Sequence, residues 1–252
     1  MGLEPDTGMG GRGGRFPSTR RSVILAAGAG DWEVRREALG AVIEAYWKPV
    51  YKYIRLQWRK SNEEAKDLAQ GFFASLLERG LVGRYDENRA SFRTYLRTCV
   101  DGYVMHEAES EGRLKRGGGQ EFVALDFESA EQEMRIRPAG PRESMEDFFY
   151  REWQRQMFAL AVEDLRRQCE AAGKQVHFRL FEQYDLADSP AGERPTYEQL
   201  GAEHGIPATS VTNYLAWARR ELRRLLLERL GEITAGATDF QREARSLLGP
   251  AR

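Results

Sequence analysis

Asn213, Trp217, Arg220 and Arg224 recur at helical spacing in the stretch PTYEQLGAEHGIPATSVTNYLAWARRELRRLLLERL. An amide, an indole and two guanidinium groups on one exposed helix face can read base edges and hold phosphates. Val211, Leu215, Ala218 and Leu222 share an apolar stripe roughly opposite, as a helix packed on a core requires. The elements that would position this face are a first helix over Tyr197–His204, a turn at Gly205, where a left-handed residue ends helices, and a second helix capped by Thr209 or Ser210. Together they spell a helix-turn-helix, whose second helix enters a major groove. A helical hairpin with a solvated arginine face fits the same pattern.

A second set lies earlier. In SFRTYLRTCVDGY, Phe92, Leu96, Cys99 and Tyr103 fall on one helical face, while Arg93, Arg97 and Asp101 line another with Thr94 and Thr98 nearby. Exposed Arg, Thr and aromatic groups suit single-stranded or distorted nucleic acid; a solvated face of mixed charge is the alternative. A third set follows the capping box Ser61–Glu64. Leu68, Phe72 and Leu76 form a stripe widened by Phe73 and Leu77, with Asp67, Gln70 and Ser75 outside it. That face is either a deeply buried helix or one with room for a protein partner.

Nothing in the chain spells catalysis. His106, His177 and His204 are scattered, no ligands recur at metal spacing, and neither a Ser-His-Asp arrangement nor a phosphate-binding loop is present. His204 reads as the end of a helix, and the glycines of GMGGRGG do not follow a strand. A non-enzymatic protein without cofactor or metal is expected. The chain has 252 residues, 41% hydrophobic and 31% charged, with a formal net charge of -1. A protein relying on non-specific attraction to DNA would be far more basic, so its clustered cations point to local DNA contact beside a larger partner. No apolar run approaches the roughly 20 residues that span a bilayer, and no secretory leader is visible, so a cytoplasmic location is expected. Cys99 and Cys169 read as buried reduced thiols.

The periodicity is helical throughout, so the expected fold is all-α, with two helical domains joined by a partly ordered linker. Residues 1–20 form a basic arm, 21–116 a first domain, 117–143 a linker with a short ordered patch near Phe122–Phe127, 144–230 the helix-turn-helix domain, and 231–252 a tail with a helix over Thr238–Leu248. In the first domain Asp31 caps a helix that Pro49 breaks or kinks. Ser91 caps the next long helix but one, and a helix over His177–Asp185 precedes the helix-turn-helix.

AYWKPVYKYIRLQWRKSNEEAKDLAQGFFASLLE followed by SFRTYLRTC resembles region 2 of the sigma-70 family of RNA polymerase sigma factors, and YEQLGAEHGIPATSVTNYLAWARRELRRLLLERL resembles region 4. The two blocks in this order, with no other domain between, resemble the extracytoplasmic-function group. The resemblance implies a bacterial alternative sigma factor that binds core RNA polymerase and directs promoter recognition and transcription initiation. It implies polymerase binding by Asp67, Leu68, Gln70, Phe72, Phe73 and Leu76. It assigns the -10 element to Arg93, Thr94, Tyr95, Arg97 and Thr98 and, beyond them, to Arg113, Lys115 and Arg116. The -35 element falls to Thr209, Ser210, Thr212, Asn213, Tyr214, Trp217, Arg219, Arg220 and Arg224. Promoter DNA and core polymerase are the implied partners, with an anti-sigma factor or other regulator as a further one. A helix-turn-helix regulator, or a sigma-like adaptor, acting without core polymerase is the competing expectation. Two departures stand out. Asp101, Glu107, Glu109 and Glu111 replace the usual basic continuation of the -10 helix and would repel phosphate. Tyr214 and Trp217 stand where basic residues are common, favouring apolar contact with thymine methyls or with a partner.

Overall fold

The computed structural model describes residues 32–110, 125–187 and 194–249. Every regular element among them is helical, so the fold is all-α. In chain order they are α1 (Trp32–Gln57), α2 (Asn62–Glu78), a 3-10 turn (Leu81–Arg84), α3 (Phe92–Ser110), α4 (Phe127–Ile136), α5 (Met145–Ala171), α6 (Gln175–Phe181), a π-turn (Glu182–Leu186), α7 (Tyr197–His204), α8 (Ala208–Glu232) and α9 (Ala237–Leu248). The chain divides into two compact units, residues 1–154 with 230–252, and residues 155–229. Among the described residues no helix is long and apolar enough to cross a membrane.

Unit 1 is built on α1, which contacts α2, α3 and α4. Val42, Tyr46, Val50, Tyr53 and Ile54 of α1 are buried, as are Phe72 and Leu76 of α2, Phe92, Leu96 and Val100 of α3, and Phe149 and Trp153 of α5. Their 3- and 4-residue spacing turns one face of each helix inward. Aromatic geometry fixes the centre: the Tyr46 ring lies edge-on to Phe92 at 5.7 Å and stacks on Trp153 at 6.1 Å. α2 starts with the expected capping box, Ser61 Oγ accepting from Glu64 N at 3.3 Å while Glu64 accepts from Ser61 N at 2.9 Å. Ser91 Oγ likewise accepts from Thr94 N at the start of α3.

Three sequence expectations need correction here. α1 runs on through Pro49 to Gln57; the buried residues on both sides of the proline hold the helix together across the lost hydrogen bond. The stretch expected as linker contains α4, capped by Asp126 and docked on α1. Its charges have partners there. Glu133 accepts from Lys48 and Lys52 at 2.6 Å each, Glu131 from the Tyr51 hydroxyl at 2.6 Å, and Phe127 meets the Trp47 and Tyr51 rings. Lys52 is itself buried and also donates to the buried Glu152 at 2.6 Å. Unit 1 therefore extends past residue 143, to Gln154, and takes back the last helix. Asp31 and Phe122 lie outside the described residues.

Unit 2 draws its interior from Ala161, Leu165 and Cys169 of α5, Phe178, Leu180 and Phe181 of α6, Leu200 of α7, and Val211, Leu215 and Ala218 of α8. α5 and α8 are pinned side by side. Arg229 donates to Asp164 at 2.9 Å, and Gln168 donates to Glu221 at 2.7 Å. α6 is shorter than expected: it gives way at Glu182 to a π-turn that carries Gln183, Tyr184 and Asp185 toward α7 and α8. Both cysteines are free thiols, Cys169 buried and Cys99 only partly so; burial pushes both thiols above their ordinary value.

Candidate nucleic-acid interface

The helix-turn-helix is set by two glycines. Gly205 takes a left-handed conformation, φ 65°, at the end of α7. Its N–H donates to Ala202 O at 3.4 Å and the Ile206 N–H to Gly201 O at 2.9 Å, the paired bonds of a Schellman ending. Gly201 lets the turn close on α7. A Cβ at that position would stand 2.6 Å from Ile206 O and 3.4 Å from Ala208 N. α7 begins with a second capping box: Thr196 Oγ1 accepts from Gln199 N at 3.2 Å, and the Gln199 side chain accepts from Thr196 N at 2.7 Å. α8 starts at Ala208, so Thr209 and Ser210 sit in its first turn and do not cap it. The bond Ser210 N to Pro207 O, 2.9 Å, closes that turn instead.

α8 buries Val211, Leu215 and Ala218 and exposes Thr209, Thr212, Asn213, Arg219, Arg220, Arg223 and Arg224. At 100° per residue, Thr209, Thr212, Asn213, Ala216, Arg220 and Arg223 form one continuous strip. Arg220 and Arg223 have no acidic partner among the described residues. Arg223 is not among the residues expected from the sequence; its three-residue offset from Arg220 places it on this strip. Ser210 is partly exposed beside it.

The other expected members are engaged elsewhere. Arg219 grips Asp185 with two bonds of 2.9 Å and lies near the Tyr184 ring. Arg224 is bracketed by Glu221, Glu228 and Gln168. Tyr214 and Trp217 are half-buried. The Tyr214 ring stacks on His177 at 3.7 Å, Trp217 stands edge-on to His177 at 5.2 Å, and Lys174 Nζ sits 4.1 Å from the Trp217 ring centre. These aromatic rings join α6 to α8, so the pair expected to meet thymine methyls or a partner also makes intramolecular contacts. His204, at the end of α7, bonds Gln183 Oε1 at 2.8 Å.

In unit 1, α3 carries Arg93 and Arg97 on one face with Thr94 and Thr98 nearby, but most of its candidate residues have intramolecular partners. Arg93 forms an ion pair with Glu243 of α9 and lies over the Tyr150 ring at 4.3 Å. Arg97 reaches the Tyr53 hydroxyl at 3.5 Å, Glu146 at 3.6 Å and Asp101 at 3.8 Å. The Tyr95 hydroxyl donates to Leu81 O at 2.7 Å, and Thr94 shares a 2.9 Å bond with Ser91. Thr98 is exposed, its hydroxyl bonded to Thr94 O. Asp101 turns inward, accepting from the Tyr53 hydroxyl at 2.9 Å and Trp58 Nε1 at 3.1 Å. That answers the expected repulsion at one position, because this carboxylate faces the unit's own interior. Arg113, Lys115, Arg116 and Glu111 lie outside the described residues.

On α2, Asp67 and Gln70 are exposed and Leu68 is partly so. Phe72, Phe73 and Leu76 are interior, the most exposed of them only 3% accessible. The wide apolar face is consumed by the core of unit 1, Phe72 meeting Phe73 at 5.2 Å and Tyr103 at 5.9 Å. These three side chains are therefore removed from the expected partner surface.

Among the described residues no group of three or more His, Cys, Asp and Glu side chains could hold a metal ion. Comparison with protein-family models, with curated proteins and with solved structures found no match to this chain.

Proposed function

We propose that this chain is a DNA-binding transcription factor of the sigma type. Unit 2 reads duplex promoter DNA through α8, unit 1 meets separated strand along α3, and the whole acts on core RNA polymerase in the cytoplasm. The observation that carries the duplex half is the strip Thr209–Thr212–Asn213–Arg220–Arg223, displayed by a turn that Gly201 and Gly205 close. Hydroxyl and amide groups at the start of a recognition helix suit base edges, and arginines about two and three turns on suit phosphates. The polymerase half rests on the order of the two sequence blocks that resemble sigma regions 2 and 4, with exposed Asp67 and Gln70 as its contact points. Two weak DNA contacts joined in one chain gain from effective concentration, which makes a net charge of -1 workable.

The competing reading is a helix-turn-helix regulator that works without polymerase. The burial of Phe72, Phe73 and Leu76 favours it, since it leaves α2 little apolar surface for a partner. Co-purification with bacterial core polymerase, followed by sequencing of transcript 5′ ends after overexpression, separates the two. The sigma reading expects a stable complex and a new set of starts sharing paired upstream elements. Tight binding to duplex DNA with no association to core would establish the regulator.

A further inference from the structure

α9 packs within unit 1 and places a carboxylate on a residue that the sigma reading assigns to DNA. Glu243 is buried, its side chain 4% accessible, and its partner is the Arg93 guanidinium. Arginine forks bind carboxylate and phosphate with the same geometry. Arg93 is also flattened against Tyr150, at 4.3 Å, with Trp153 at 5.6 Å. While Glu243 is seated, neither the cation nor the aromatic faces it covers are open to a nucleotide.

The seat is held by four buried side chains of α9, Asp239, Phe240, Glu243 and Leu247. Phe240 and Leu247 are the large apolar side chains that α9 buries. Arg242 donates to Ala90 O at 3.2 Å, and Ser246 pairs with the Tyr150 hydroxyl. Glu243 Oε1 is buried without a hydrogen-bond partner, so this carboxylate is only half satisfied by the contact that buries it. A helix of 12 residues has little stability once detached. Docking and folding of α9 are thus one event, and a buried ion pair of this kind adds little net stability while making the arrangement switchable.

We propose that α9 is an autoinhibitory strap: Glu243 holds Arg93 in place of a nucleic-acid phosphate, and a single strand reaches α3 only when α9 lifts. This inference rests on the reading of α3 as a strand-binding face. It assigns α9 a competitive role, in which strand and strap exclude each other.

The test uses the full chain and a short fluorescent single-stranded DNA of mixed sequence. Glu243→Gln keeps the shape and removes the charge. It should tighten binding about tenfold at low salt, the scale of one charge-assisted hydrogen bond, and steepen the salt dependence by about 0.7 in log–log slope, one phosphate contact. Arg93→Gln in the Glu243→Gln background should cancel the gain. Hydrogen exchange on the unsubstituted chain gives an answer that does not depend on either variant folding: saturating DNA should deprotect the amides of 237–248. Equal affinity of the Glu243→Gln and unsubstituted chains, or unchanged protection of α9 with DNA bound, overturns the strap and leaves the strand-binding reading standing. Binding by neither chain overturns the reading of α3, and the strap with it.

Discussion

His177 lies flat against Tyr214, ring centroids 3.7 Å apart and planes 17° from parallel. The contact ties α6 to α8. Burial, reinforced by the positive charge of Lys174, holds His177 below its ordinary value. Folding thus favours the uncharged ring. The stability it contributes is in place above the unfolded value, about 6.5, and is lost as pH falls through the lower folded value. Thermal unfolding followed from neutral pH to about pH 5 should show unit 2 weakening across this window, and His177→Phe, which keeps the stack, should flatten that part of the profile. An identical acid response in the variant would assign the weakening to other groups.

Lys52 carries the opposite electrostatic situation in unit 1. It is a buried cation shared by Glu133 and Glu152, at 2.6 Å from each. Truncation to Ala leaves the 3% exposed Glu152 side chain without its nearest cation, and loss of one member of such a group costs about 3–5 kcal/mol. Lys52→Met combined with Glu152→Leu should recover most of that, because the pair itself adds little net stability. Burial alone would raise the Glu133 carboxyl, but bonds from Lys48 and Lys52 outweigh it and hold the group below its ordinary range. Its contribution is present above the unfolded value, about 4.3, and disappears as pH falls through the folded one. Chemical denaturation of the single and double variants at neutral and acid pH measures both effects.

The all-helical fold, the Ser61 capping box and the limits of α7 were legible because each rests on local signals: apolar spacing, a cap residue, a turn glycine. α4 was not. Its sequence, FESAEQEMRI, reads as mixed charge, and Glu131 and Glu133 acquire a docking role only once Tyr51, Lys48 and Lys52 are opposite them. The same limit applied to the site. Types and spacing placed Arg220 and Arg224 on one face of α8 and the family resemblance added Arg219, but Asp185 and Glu228, which neutralise Arg219 and Arg224, lie on an adjoining turn and one helical turn further along. On α2 the choice between a partner surface and a core helix was open in the sequence; Phe72 and Phe73 pack on each other in the core, and α3 supplies Tyr103 against Phe72.

Gly201 offers a direct test of the turn. A methyl group there would meet the Ile206 carbonyl at 2.6 Å, and that oxygen belongs to backbone that cannot swing away. Gly201→Ala should destabilise unit 2 by about 1–3 kcal/mol, the usual cost of forcing an atom into a packed site, despite alanine's higher helix propensity. Ala202→Gly, at an exposed neighbour, should cost about 1 kcal/mol for propensity alone. Denaturant midpoints of the two variants compare crowding with propensity directly. A Gly201→Ala chain as stable as the parent would mean that the turn is looser than its geometry.

The arginines of α8 divide by partner. Arg220 and Arg223 are exposed with no acidic partner among the described residues, whereas Arg219 already donates to Asp185 at 2.9 Å from both Nε and Nη2. A cation that meets phosphate displaces a counterion; a cation already neutralised within the chain must first give up a carboxylate. Arg220→Ala and Arg223→Ala should each weaken duplex binding and reduce the log–log salt slope by about 0.9. Arg219→Ala should change the slope little and act chiefly through stability, because it releases the π-turn from α8. Asn213→Ala should behave differently again, reducing discrimination between duplexes by about 1–3 kcal/mol at one base pair while leaving the salt slope unaltered. Titrations of the four variants at several salt concentrations, against a selected duplex and an unrelated one, resolve the three behaviours. Equal slopes for Arg219→Ala, Arg220→Ala and Arg223→Ala would place DNA against some other face of unit 2.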